Sequence, residues 1–376
     1  MIGYRLLWTA LLIGMVVPAQ EARPQLRHLP VAGKKGRFPL PAERVWPQKP
    51  GQAHVCLWDD DKFAAVSITI DDNCAPDHAW WIEQGKRTGF RFTWFIVTKS
   101  LDAGKQSFSG TWDDFRKLKQ LGHDVQSHTV SHNKDDHQRP DEEVDAGYRD
   151  SKAAIEKNVG GPVVCLAYPW GKGKPKLAEQ HYVACRGVVG TPNVANRIHY
   201  MSTGTANIRP DTVDMLLTGK HASVKWMNRA AYRRAWLAPL YHYVRHGRTP
   251  AEKIASVAKV KAQIDHLYAK RDEIWVGLFR DVAFYGMERD TAELRTTHSD
   301  DKRIDFLLQD DMDDQLFTFP LTVKIRLPDA WTAVQASQGD KPVPTRVVEH
   351  EGHRYALVKA VPDQGEVTVT SVQEAP

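Results

Sequence analysis

Residues 66–70 read V-S-I-T-I, a β-branched alternation that predicts a pleated strand with one buried face, inside an apolar run over 63–70. The run stops at two adjacent carboxylates, Asp71 and Asp72. Over 77–88 the rhythm changes, and Trp80, Trp81 and Ile82 suit an amphipathic helix that ends at Gly89. Residues 92–98, F-T-W-F-I-V-T, predict a second buried strand; a helix over 111–121 follows, N-capped by Thr111 and closed by Gly122. Residues 123–127 form a third short strand, and this alternation is the pattern of parallel βα units. It continues with a charged helix over 140–158, a strand over 161–168, a polar irregular stretch over 191–227 and an apolar strand over 235–241. A helix over 250–270, a strand over 274–279 and a closing helix from Asp281 complete the series. From about Thr297 the chain turns to short alternating runs, 317–327, 332–336, 345–348, 355–358 and 367–372, separated by Pro, Gly and Asp. That pattern predicts a small all-β sandwich.

The remaining stretches set the boundaries. Residues 1–19 have a short region with Arg5, an apolar core over 6–17 and Val17-Pro18-Ala19, which reads as a signal peptide cleaved after Ala19. An uncleaved anchor is the alternative, although the apolar core is short for a membrane span. The expected location is secreted or periplasmic, with no membrane span in the mature chain. Residues 20–55 read as an extended arm, 56–296 as the main α/β domain and 297–376 as the C-terminal β domain. The acidic turn Asp59-Asp60-Asp61 reads as a hairpin tip without partners.

Composition changes little in this picture. The 376 residues are 42% hydrophobic and 26% charged, which is globular, and 51 basic against 46 acidic residues give a net charge of only +5. No Lys/Arg stripe marks a nucleic-acid surface, so no nucleic-acid partner is expected. Cys56, Cys74, Cys165 and Cys185 show no C-x-x-C spacing; up to two disulfides or buried free thiols remain open.

The candidate chemistry lies at the strand ends. Asp71 and Asp72 end one strand, where α/β folds place ligands, but by themselves they read first as a solvated turn. His128 and His132 follow the third strand four residues apart, a spacing that puts both rings on one face if the segment turns helical. Two imidazoles and one carboxylate make a three-ligand site with a position open to water, as in catalytic zinc sites.

With I-T-I-D-D-N at 68–73, G-H-D-V-Q-S-H-T-V-S-H at 122–132 and A-Y-P-W-G at 167–171, the sequence resembles the polysaccharide deacetylases of the NodB-homology group, carbohydrate esterase family four. The resemblance implies an irregular (β/α) barrel of fewer than eight strands, here with the small C-terminal all-β domain. It implies Asp72, His128 and His132 as ligands of a divalent metal, most often Zn²⁺, Asp71 as general base, and metal-bound water as nucleophile. Tyr168, Pro169, Trp170 and Gly171 then form the oxyanion and substrate wall, and His242 at the end of the strand over 235–241 is the acid, with His246 as its competitor. The family carries an arginine where this chain has Ala167, so Arg186 is the candidate to orient Asp71, with a structural surface role as the alternative. The implied reaction is hydrolysis of N- or O-linked acetyl from a carbohydrate or polysaccharide. A catalytically impaired binding protein on the same scaffold and a glycosidase using the Asp pair are the competing classes. Their discriminators are acetate release and one tightly bound cation per chain.

Overall fold

Two of the expected strands are broken midway. The first forms Ala64–Val66 and Thr69–Ile70, and the late one forms Trp236–Leu237 and Leu240–Tyr241 on either side of Pro239, which has no N–H for a ladder. Each broken strand serves two sheets. One has six strands in the order Ala184–Arg186, Cys165–Ala167, Asp124–Ser127, Thr93–Ile96, Thr69–Ile70, Leu240–Tyr241. The other runs Ile274–Val276, Ala64–Val66, Trp236–Leu237. Every pairing in both is parallel. Bridges between Arg186 and Thr203 and between Asn193 and Trp236 connect the two margins, making an irregular (β/α) barrel of fewer than eight strands.

The structure, a computed structural model, describes residues 36–102 and 108–372. The expected signal peptide and the beginning of the arm, to residue 35, lie outside them. Among the described residues no helix is long and apolar enough to cross a membrane.

The helices His78–Thr88, Trp112–Gln120, Asp141–Asn158, Pro250–Ala269 and Phe279–Thr291 match the apolar periodicities. Thr111 is the cap expected of it: its hydroxyl accepts the Asp114 N–H, and the Asp114 carboxylate accepts the Thr111 N–H at 2.8 Å. A helix at Pro210–Thr218 falls in the stretch expected to be irregular; Pro at its first turn and Gly219 at φ 72° are its start and stop signals. All four cysteines are buried free thiols, which resolves the alternative left open by spacing.

The C-terminal region is two antiparallel sheets. One orders Ala53–Val55, Leu321–Arg326, His353–Ala360, Thr345–His350, and the other Glu293–Ser299, Arg303–Gln309, Val367–Ser371, Val334–Gln338, Lys341–Val343. The strand Ala53–Val55 precedes the barrel in sequence yet pairs with Leu321–Arg326. The acidic turn corrects its expectation. Asp59 pairs with Lys359, Asp60 with Arg346 at 2.9 Å and Asp61 with Lys324 at 2.6 Å, so all three carboxylates meet cations of the sandwich. Those partners lie hundreds of residues away and leave no local pattern. Trp58, Trp81, Trp94 and Trp236 are fully buried; Trp236 donates to Ser67 Oγ at 3.0 Å, satisfying its N–H beside the first strand's break.

Candidate active site

The strand Thr69–Ile70 delivers Asp71 with its N–H still bonded to the Tyr241 carbonyl at 2.8 Å. Beyond it the backbone turns sharply: Asp72, Asn73 and Cys74 all have left-handed φ, 58°, 63° and 43°. Consecutive non-glycine residues in this region cost energy and need support. Asn73 supplies it, because its Oδ1 accepts the Val97 N–H at 2.8 Å and its Nδ2 donates to the Val97 and Ser109 carbonyls at 3.3 Å. The consequence is that the two carboxylates differ in exposure although both stay near one imidazole, Asp71 Oδ2 and Asp72 Oδ1 lying 3.6 Å and 3.5 Å from His128 Nε2. Asp71 is buried, whereas the Asp72 side chain stays partly exposed.

The histidines arrive by a different route from the one expected. Residues 128–132 are not helical; Thr129 and His132 have φ of 66° and 51°, and the Thr129 hydroxyl accepts the His132 N–H at 3.1 Å. This turn still brings both rings together, with centroids 4.6 Å apart. The Nε2 atoms of His128 and His132 lie 3.5 Å and 3.2 Å from Asp72 Oδ1. His128 Nδ1–H donates to the Ala167 carbonyl at 2.7 Å, which fixes the tautomer and leaves Nε2 free to ligate. Burial lowers the His128 pKa against the opposing pull of Asp71, so the ring is favoured in its neutral, ligating form. The donor atoms of Asp72, His128 and His132 all fall within 4.8 Å of one another. Two imidazoles and a carboxylate fit a borderline divalent ion such as Zn²⁺.

Arg186 is fully buried and donates through Nη2 to Asp71 Oδ2, so its alternative role as a surface arginine is excluded. The register explains how it gets there. Ala167 and Arg186 are direct partners on adjacent parallel strands, and the guanidinium lies 5.4 Å from the Phe95 ring centroid. Burial pushes the Asp71 carboxyl up, but Arg186, then His128 and His242, more than offset it and hold the group below the usual carboxylate range. Asp71 Oδ1 is buried with no hydrogen-bond partner.

His242 Nε2 stands 3.6 Å from Asp72 Oδ2, with about half of its side chain exposed. His246, its competitor, lines a groove of about 480 Å³ together with His242 and Lys259. Tyr168 is buried and its hydroxyl donates to the Met201 carbonyl at 3.0 Å, so it supports the rim from behind. Pro169 is likewise buried, while Trp170 is 63% exposed and 6.1 Å from the His132 ring. Gly171, at φ 70°, has no room for a Cβ, which would stand 2.1 Å from the Val188 side chain. The residues that sequence reading passed over are Asn73, which braces the turn, and Phe95, which lies against Arg186. Asn73 follows the doublet directly and was available as a signal; Phe95 was visible only as a strand residue.

Residues 59–183 match the polysaccharide deacetylase family. The match includes Asp71, Asp72, His128, His132 and the 168–171 rim, and leaves Arg186 and His242 outside it. A gellan lyase from a Bacillus species is 37% identical over 369 residues, covering 94% of this chain. The chain spans only 14% of that relative's length. Among solved structures, a putative polysaccharide deacetylase from Mycobacterium smegmatis is 14% identical, with a TM-score of 0.42, over 64% of this chain and 94% of that one. A Streptococcus pyogenes deacetylase in complex with acetate is 22% identical, with a TM-score of 0.36, over 39% of this chain and 65% of that one.

Proposed function

We propose, from the premise that residues 59–183 belong to the polysaccharide deacetylase family, that the chain hydrolyses acetyl groups on a carbohydrate. The observation that carries this reading is the convergence of Asp72, His128 and His132 beside an ionised, arginine-paired Asp71. In this proposal those three residues hold a divalent cation, Zn²⁺ by the donor set of two imidazoles and a carboxylate. When bound it supplies Lewis acidity, polarising the acetyl carbonyl and acidifying water.

The chain's own groups do the rest. Asp71, held deprotonated by Arg186, takes a proton from the attacking water. The oxygen adds to the acetyl carbon, and in this proposal the backbone N–H of Trp170, in the turn Pro169–Gly171, stabilises the developing oxyanion. His242, protonated, donates to the departing nitrogen or oxygen as the C–N or C–O bond breaks. The products are acetate and the free amine or hydroxyl. Trp170, exposed beside His132, offers its face to a sugar ring.

Ala167 is the feature that favoured the impaired binding-protein reading, and the Asp71–Arg186 pair removes that argument. The glycosidase reading, which needs two carboxylates flanking one bond, is likewise weakened because Asp71 is engaged by Arg186 and Asp72 by the two histidines. The gellan lyase relative bears the name of another activity, so gellan joins the substrate panel. Acetate release from chitin oligomers, peptidoglycan fragments, acetylated xylan and gellan tests the proposal; polymer scission without acetate release from any of them would refute it. Export directed by residues 1–19 belongs to the same proposal, and recovery of the full-length, uncleaved chain in the cytoplasm would contradict that part.

A further inference from the structure

We propose that the polymer carrying the acetyl group is anionic, and that Arg209 and Lys259 receive carboxylate- or sulfate-bearing sugars beside the acetylated one; this rests on the acetyl hydrolysis proposed for the same site. The groove of about 480 Å³ that His242 and His246 line is lined by Lys259 and Arg209 as well. A second groove, of about 410 Å³, shares Asn207, Arg209 and Leu240 with the first and extends to Trp226. His242 ties this path to the proposed metal ligands, since its Nε2 stands 3.6 Å from Asp72 Oδ2.

Charge decides what such a path accepts. Among the described residues lining the two grooves there is no Asp or Glu, whereas Arg209 and Lys259 are both exposed. Lys259 rides on the helix Pro250–Ala269 and forms no ion pair among the described residues. Arg209 immediately precedes the helix Pro210–Thr218. Its carboxylate neighbour, Asp211, lies 3.6 Å from Nε and already accepts the Ser223 hydroxyl at 2.7 Å, and the Arg209 side chain stays 49% exposed. Arg245, between the two histidines, shows the contrast: it is paired with the buried Asp77 and lines neither groove. A cleft whose fixed charges share one sign concentrates ligands of the other. The planar guanidinium fork adds a geometric preference for oxyanions.

The uncharged part of the lining suits sugar rings. Trp226 is exposed and presents a broad apolar surface, while the Asn207 amide offers both donors and acceptors to hydroxyls. The cations come from separate segments of the chain, so a sequence with evenly scattered charge still folds into a path of one sign.

Calorimetric titration of the full chain with oligogalacturonate, which is carboxylated, and with oligocarrageenan, which is sulfated, tests the groove against methyl-esterified oligogalacturonate and a cello-oligomer of equal length. None of these carries acetyl, so binding is read without turnover. At least one charged oligomer is expected to bind about tenfold more tightly than both neutral ones, the factor that two exposed ion pairs supply together. High salt should shrink that margin. Arg209→Gln/Lys259→Gln should erase it while leaving the melting temperature and the affinity for the neutral oligomers unchanged, because both side chains are exposed. Failure of both charged oligomers to bind, equal affinity for charged and neutral ones, or an undiminished margin in the double variant would overturn the proposal even with acetate release intact. A full margin in a chain that releases no acetate from any polymer would uphold the groove and overturn the reaction alone.

Discussion

Asp71 is pulled in opposite directions by burial and by Arg186 with the neighbouring histidines, and the latter prevail, leaving the buried carboxylate ionised. A general base must be deprotonated before it acts, so the buried arginine has a chemical consequence as well as a packing one. Asp71→Asn keeps the shape and removes the proton acceptor. Its turnover, followed by acetate release, is expected to fall roughly 10²–10⁴-fold, while metal analysis finds the cation still bound. Arg186→Met tests the other partner, because it leaves a buried carboxylate without its cation. Chemical denaturation should report a loss of roughly 3–5 kcal/mol. A variant as stable as the parent would mean that Asp71 is not ionised in the folded protein.

At the scale of elements, register decides where the arginine stands. Ala167 and Arg186 are paired across parallel strands, so a guanidinium issuing from either has the same carboxylate to one side. Arg186→Ala is expected to lose most activity, and adding Ala167→Arg in that background should recover at least tenfold of it. No recovery would show that the two positions are not interchangeable. Strands, helices and the Thr111 cap were legible in the sequence because each is written in local periodicity or a capping pair. The grouping of Asp72, His128 and His132 was legible too, since each follows a strand. The bend that carries the histidines was not, because left-handed φ at Thr129 and His132 has no glycine to announce it. Arg186 could be nominated only through the resemblance, as a strand residue to replace the arginine missing at Ala167, and its burial and ion pair depend on strand pairing, which only the fold supplies.

For the molecule as a whole, Lys324 is the joint. It is fully buried, pairs with Asp61 at 2.6 Å, donates to the Val45 carbonyl at 2.9 Å and lies 3.5 Å from the centre of the Trp46 ring. One side chain thus ties the arm, the acidic turn and the sandwich together, and Ala53–Val55 adds a strand from before the barrel to the same sheet. Barrel and sandwich are therefore expected to unfold in one cooperative transition by calorimetry. Lys324→Met should lower stability by roughly 3 kcal/mol; two separate transitions in the parent protein would contradict this coupling. The proposed reaction rests on a smaller set of groups, Asp72, His128 and His132, which in that proposal hold the cation on which acetyl hydrolysis depends. Acetate release should vanish after chelation and return on stoichiometric Zn²⁺ addition in the parent protein, but not in His128→Ala/His132→Ala. Full activity of the chelated, metal-free parent would contradict the account.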